Sequence, residues 1–106
     1  MSENPPVVAD LFALTQLADK GIVSKSIVEN EHHKIIHFTL AQGQELSEHT
    51  ASVPAVIQII SGKGTVVLDG QRHDAQAGAL YYMPANMSHA IQADEAVVFL
   101  LTMFRT

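Results

Sequence analysis

From Ile22 onward the chain carries short runs of β-branched and aliphatic residues, broken about every ten residues by glycine, aspartate, asparagine or proline. That rhythm belongs to antiparallel sheets closed into a sandwich or barrel rather than to helices. The runs predict eight strands, at residues 22–28, 34–41, 54–60, 65–68, 71–75, 80–83, 89–92 and 96–104. Asp69-Gly70 is the strongest turn signal, because both central residues of a type I′ hairpin need positive φ and this dipeptide accepts it at low cost. Ser61-Gly62-Lys63-Gly64 reads as a second tight reversal; a phosphate-loop reading fails because no Gly-Lys-Ser/Thr ending and no following helix are present. Before the strands, Pro5 and Pro6 mark a loose leader. Asp10 can then cap a short helix with Leu11, Leu14, Leu17 and Ala18 on one side, Lys20 in its last turn and Gly21 as its stop. The expected organisation is one domain: a leader and short helix over residues 1–21, then a barrel over 22–106.

Two of the runs do not alternate. Residues 53–60 are apolar on both parities except at Gln58, and residues 96–104 are nearly all apolar apart from Thr102. A strand apolar on both faces is covered on both faces, and one face can line the barrel interior. Without further helices to cover the other, a second copy of the chain is the simplest lid, which predicts a homodimer.

Composition narrows the function classes. A chain of 106 residues has room for one core, and 47% hydrophobic against 16% charged residues is an ordered, rather apolar composition. The six basic residues, Lys20, Lys25, Lys34, Lys63, Arg72 and Arg105, are scattered through a chain of net charge -5, so no stripe exists to neutralise phosphates, and nucleic acid is not an expected partner. The absence of cysteine removes disulfides, thiolate metal sites and a cysteine nucleophile. No segment has the ~18 apolar residues of a membrane span and the start lacks the features of a secretory signal, so a cytoplasmic protein with no membrane partner is expected.

The chemistry concentrates in two stretches. The first contains Gly43, His49-Thr50-Ala51, Ala55 and Gly62; the second contains Gly78, Pro84, Asn86, His89 and Ala93. Both resemble the paired motifs of the cupin superfamily, in which a glycine precedes His-x-His, a glutamate and a second glycine, and a later Gly, Pro-x-Gly, His and Asn complete the set. The stretches Ser47-Glu48-His49-Thr50-Ala51 and Tyr82-Met83-Pro84-Ala85-Asn86-Met87-Ser88-His89-Ala90, with Leu100-Leu101-Thr102-Met103, are similar to small single-domain bacterial cupins of largely unassigned function. The resemblance implies an all-β fold, a double-stranded β-helix or jelly-roll barrel, and a divalent metal ion held by three imidazoles and a carboxylate. Here the match keeps His49 and His89 but has Ala51 for the second histidine, Ala55 for the glutamate, Asn86 for a glycine and Ala93 for the final Asn.

Residues two and four apart on a strand share a face, so the family's ligands converge inward, yet only two nitrogens remain in this chain. His49 and His89 are therefore the candidate metal ligands, for a weakly held zinc, iron, nickel or manganese ion completed by water or another side chain. Gln44, Glu45, Glu48, His37, Gln58 and His73 are the possible substitutes. Glu48 has the opposite parity to His49; Gln58 opposes Ala55, Ile57 and Ile59; His37 interrupts Ile36 and Phe38; His73 lies just past the hairpin, near solvent. His32 and His33 read as loop. The alternative for the pair is two histidines hydrogen-bonded to each other, to Tyr81 or Tyr82, or to water. The alanines free volume for a small organic ligand, with Met83, Met87, Phe38, Phe99 and Met103 as possible lining. Three functions stay open: an enzyme with a metal-polarised substrate, a non-catalytic small-molecule binder, and a structural dimer with a vestigial site.

Overall fold

The alternating runs become antiparallel strands because each can turn one parity inward and keep its backbone groups paired along two neighbours. A computed structural model describes residues 5–15 and 21–105. Its strands are β1 (Ile22–Glu29), β2 (His33–Leu40), β3 (Glu45–His49), β4 (Ala55–Ser61), β5 (Lys63–Leu68), β6 (Gln71–Gln76), β7 (Leu80–Met83), β8 (His89–Ala93) and β9 (Val97–Phe104). They form a five-stranded sheet, β1-β2-β9-β4-β7, facing a four-stranded sheet, β3-β8-β5-β6, with every described pairing antiparallel. This is the all-β, two-sheet arrangement expected from the pattern and the jelly-roll that the resemblance implies.

The eight predicted strands all form, with ends shifted by a residue or two. The ninth, β3, has no counterpart among the predicted runs, because Leu46 is its only aliphatic residue and its burial is slight. Its existence depends on β8, which it pairs edge to edge. Asp69 and Gly70 have φ of 49° and 81° and join β5 to β6 in register, as the turn signal requires.

Ser61-Gly62-Lys63-Gly64 is not a reversal. β4 belongs to one sheet and β5 to the other, so the chain turns a corner at Gly62 (φ 95°) and carries on into the facing layer. The glycines are needed because a Cβ on Gly62 would overlap the Ala96 carbonyl oxygen and one on Gly64 would overlap the Gln92 carbonyl oxygen.

Where the expected N-terminal helix falls within the described residues, at 10–15, it is a single turn, and the described residues contain no helix. Asp10 caps that turn as predicted, its Oδ1 accepting from the amides of Phe12 (3.0 Å) and Ala13 (3.2 Å). Within residues 10–15 the Leu11 carbonyl accepts from His37 Nε2 at 2.8 Å, while the Thr15 amide bonds the Phe12 carbonyl in the tighter i−3 pattern. The positions of Leu17, Ala18 and Lys20 in that helix lie outside the described residues.

The core fills the space between the sheets. Leu40, Ile57, Ile59, Val66, Ile91, Val97 and Phe99 are buried, and Phe38 stacks on Phe99 with ring centroids 4.9 Å apart. In sheet register, the interior runs in rows from Leu40 and Val97 at the closed end, through Phe38 and Phe99, then Ile36, Leu101 and Ile57, to Met103, Ala55 and Met83 at the open end. The site lies at this last row.

Candidate functional site

β3 and β8 bring the two histidines from remote parts of the chain into direct register, His49 opposite His89. A register shift between Leu46 and His49 is what allows both Leu46 and His49 to meet β8 across the same narrow edge. The imidazole centroids are 4.1 Å apart with planes inclined at 60°. Each ring is oriented by its own strand: His49 Nδ1 lies 2.8 Å from the Ser47 carbonyl oxygen and His89 Nδ1 lies 3.1 Å from that of Met87. A carbonyl only accepts, so both Nδ1 atoms carry the proton and, in the neutral ring, both Nε2 atoms carry the lone pair.

The two rings differ in environment. His49 is exposed, whereas His89 is 5% exposed. Burial pushes the His89 pKa below the ordinary histidine value; the hydrogen bond to Met87 opposes that shift and the neighbouring His49 adds to it. His89 is thereby favoured as a neutral acceptor.

A cavity of about 380 Å³ opens beside the pair, lined by His49, Thr50, Ala51, Ser52, Ala55, His89, Leu101 and Met103. Ala51 and Ala55, the two positions where the motif has its other ligands, both face this space. Behind it, only about 10 Å³ remains among Leu46, Ile57, Ile91, Phe99 and Leu101, so the deep interior is filled by side chains. The Asn86 amide donates to the Ala51 carbonyl at 2.7 Å, pinning the two motif segments together. Asn86 has φ of 68°, a conformation asparagine tolerates better than most residues, which explains how it replaces the motif glycine.

None of the possible substitute ligands reaches the cavity. Gln58 is exposed on the outer side of β4, and Glu45 and Glu48 are exposed on β3. His73 is exposed on β6, 6.2 Å from Tyr81 between ring centroids. His37 does lie on the face opposite Phe38, as its parity implies, but it is 1% exposed, covered where it donates to the Leu11 carbonyl. His33 opens β2 rather than sitting in a loop. Neither tyrosine partners the pair: the Tyr81 hydroxyl donates to the Asp74 carbonyl at 2.6 Å, and Tyr82 is exposed. Of the proposed lining residues Met103 faces the cavity and Phe99 the deeper space, while Phe38 and Met83 are core. Leu101, Thr50 and Ser52 were missed. Leu101 shares the parity of Phe99 and Met103, and the hydroxyl residues flank Ala51, so both signals were present.

Among the described residues no group of three or more histidine or acidic side chains could hold a metal ion. The donor set nonetheless fits two positions on a divalent ion: two imidazoles of fixed tautomer, each oriented by a backbone carbonyl, as ligating histidines commonly are. The remaining positions would fall to oxygen donors outside the protein.

A cupin-domain family model matches residues 36–103. An uncharacterized protein of Methanocaldococcus jannaschii is 31% identical over 74 residues, which is 69% of this chain and 64% of that protein, so the chain spans just under two thirds of the relative's length. A conserved protein of unknown function from Streptococcus pyogenes superposes with a TM-score of 0.86 at 27% identity, covering 98% of this chain and 91% of that one. A cupin superfamily protein from Desulfitobacterium hafniense gives 0.86 at 21% identity, covering 100% and 94%.

Proposed function

The chain belongs to the cupin domain family, and on that footing we propose that it binds a small organic molecule at the barrel mouth through a divalent metal ion on His49 and His89. The observation that carries this reading is the pair of Nδ1–H bonds to the Ser47 and Met87 carbonyls, which leaves two Nε2 lone pairs beside one cavity. When bound, such an ion supplies an electrophile that polarises an oxygen of the ligand. The chain's own residues do the rest. His89 is kept neutral by burial, Ala51 and Ala55 leave room, Leu101 and Met103 offer apolar contact, and Thr50 and Ser52 lie at the rim. Among the described residues no carboxylate lines the cavity, so the reading is of binding and assigns no proton transfer or reaction.

A second reading, a metal-free binder, draws on the largely apolar lining: the same Nε2 atoms would accept hydrogen bonds from a hydroxyl or amide donor. Metal analysis of protein prepared without a histidine tag or chelator separates the two. Stoichiometric metal that is lost in His49→Ala and His89→Ala supports the first. Protein that takes up no zinc, iron, nickel or manganese, but gains thermal stability with a small hydroxylated ligand, supports the second. Neither response would leave the site a vestige on a structural barrel.

A further inference from the structure

Met103 lines the same cavity as His49 and His89, and its thioether sulfur carries a lone pair that a leucine at this place would lack. The nitrogens and the sulfur come from opposite walls. His49 and His89 stand on β3 and β8 of the four-stranded sheet, and Met103 stands on β9 of the five-stranded sheet, opposite Ala55 in the row at the mouth. Met103 is half-buried, and on the β4 side it has only the methyl of Ala55 beside it, so its unbranched side chain has room to turn the sulfur towards the imidazoles. On the β2 side its neighbour Lys34 is paired with Glu29 at 3.8 Å. Met83 is packed into the core at 2% exposure, and Met87 does not line the cavity.

Donor chemistry then selects an ion. Two imidazoles and a thioether are three neutral donors, and Thr50 and Ser52 add only hydroxyls, which are poor ligands for a soft metal. Zinc takes four ligands and harder ions more, so this chain alone leaves each of them short. Copper(I) is satisfied by two or three such donors, and thioether sulfur favours it. Charge acts in the same direction. The penalty for taking an ion out of water grows with the square of its charge, so in a wall without carboxylates a divalent ion meets roughly four times the penalty of a monovalent one. With alanine at 51 and 55, the mouth lacks the nitrogen and oxygen that would complete a divalent site and keeps a set that is complete for copper(I). The chain has no cysteine, so no thiolate competes for the ion. We propose that His49, His89 and Met103 form a copper(I) site, filled when no outside oxygen donor completes a divalent one. The proposal rests on the same two Nε2 lone pairs as the reading above and adds to it the sulfur and the oxidation state of the ion.

Anaerobic titration with copper(I) against a coloured copper(I) chelator, on protein prepared without a histidine tag, tests this. One equivalent per chain is expected to be held. Its affinity should fall about tenfold in Met103→Leu, which keeps the volume and removes the sulfur, and be lost in His49→Ala/His89→Ala. X-ray absorption at the copper edge should show nitrogen and sulfur neighbours in the native protein and in Met87→Leu, and nitrogen without sulfur in Met103→Leu. Zinc uptake should be the same in the native protein and Met103→Leu. The proposal is overturned if the native protein leaves copper(I) to the chelator, if Met103→Leu holds it as tightly, or if the sulfur signal survives in Met103→Leu. Divalent metal retained alongside any of those results leaves the reading above standing, and its loss removes both. Should Met103→Leu not fold, native protein labelled at its methionine methyls decides: copper(I) should move the Met103 resonance and leave that of Met87, and an unmoved Met103 resonance overturns the proposal.

Discussion

The two ends of the barrel interior are built from the same strands and have opposite packing. At the closed end β2, β4 and β9 contribute Leu40, Phe38, Ile59, Val97 and Phe99, all filling space between the sheets. At the mouth the same strands and their neighbours contribute Ala55, Leu101 and Met103, and the facing sheet contributes two imidazoles instead of aliphatic side chains. The difference shows that stability is concentrated where large residues meet, while the mouth is kept open by alanine at positions that point inward.

Phe99→Ala is the strongest way to break the closed end. Deleting the ring stacked on Phe38 should cost about 3–5 kcal/mol in denaturant unfolding, whereas Met103→Ala, half-buried at the open end, should cost about 2 kcal/mol. Equal losses would mean the mouth is packed as tightly as the core. Gly64→Ala should come next, at about 3 kcal/mol, because the added methyl has only the Gln92 backbone to displace. An unperturbed melting temperature would show that the corner between the sheets is loose.

Ala51→His sharpens the comparison from the other side. It returns a third imidazole to a position that already faces the cavity, and calorimetric titration should show zinc or nickel affinity raised on the order of tenfold, or ~1.4 kcal/mol. No gain would mean that residue 51 cannot bring a ring to the pair. The smallest effect is on pH dependence. With the His89 pKa below its unfolded value of 6.5, the unfolded chain binds more protons between the two values. Stability therefore falls as pH drops from 6.5 towards the folded value, and is unaffected by this group above 6.5. Unfolding curves across that range should steepen the loss in the native protein relative to His89→Gln; parallel curves would assign the loss to other groups.

Much of the framework was legible because strand period and turn chemistry are local. The eight apolar runs, the Asp69-Gly70 hairpin and the Asp10 cap each depend on neighbours in sequence. β3 was not legible, since a polar segment such as Glu45–His49 becomes a strand only when β8 offers it an edge. The corner at Gly62 escaped for a related reason: a glycine-rich tetrapeptide has the same local chemistry whether the next strand returns to its own sheet or crosses to the other.

By its own pattern the sequence determined an all-β barrel and the inward parity of its strands, and its resemblance to the cupin motifs singled out four positions where that family has ligands, two holding histidine and two holding alanine. Tertiary structure alone decided that those rings meet at 4.1 Å, that backbone carbonyls set their tautomers, and that the alanines open onto one cavity. It also decided that His37 is sealed under the N-terminal turn, which parity could not tell from a solvent-facing residue. Parity assigns a side chain to a face; what covers that face is settled by segments distant in sequence.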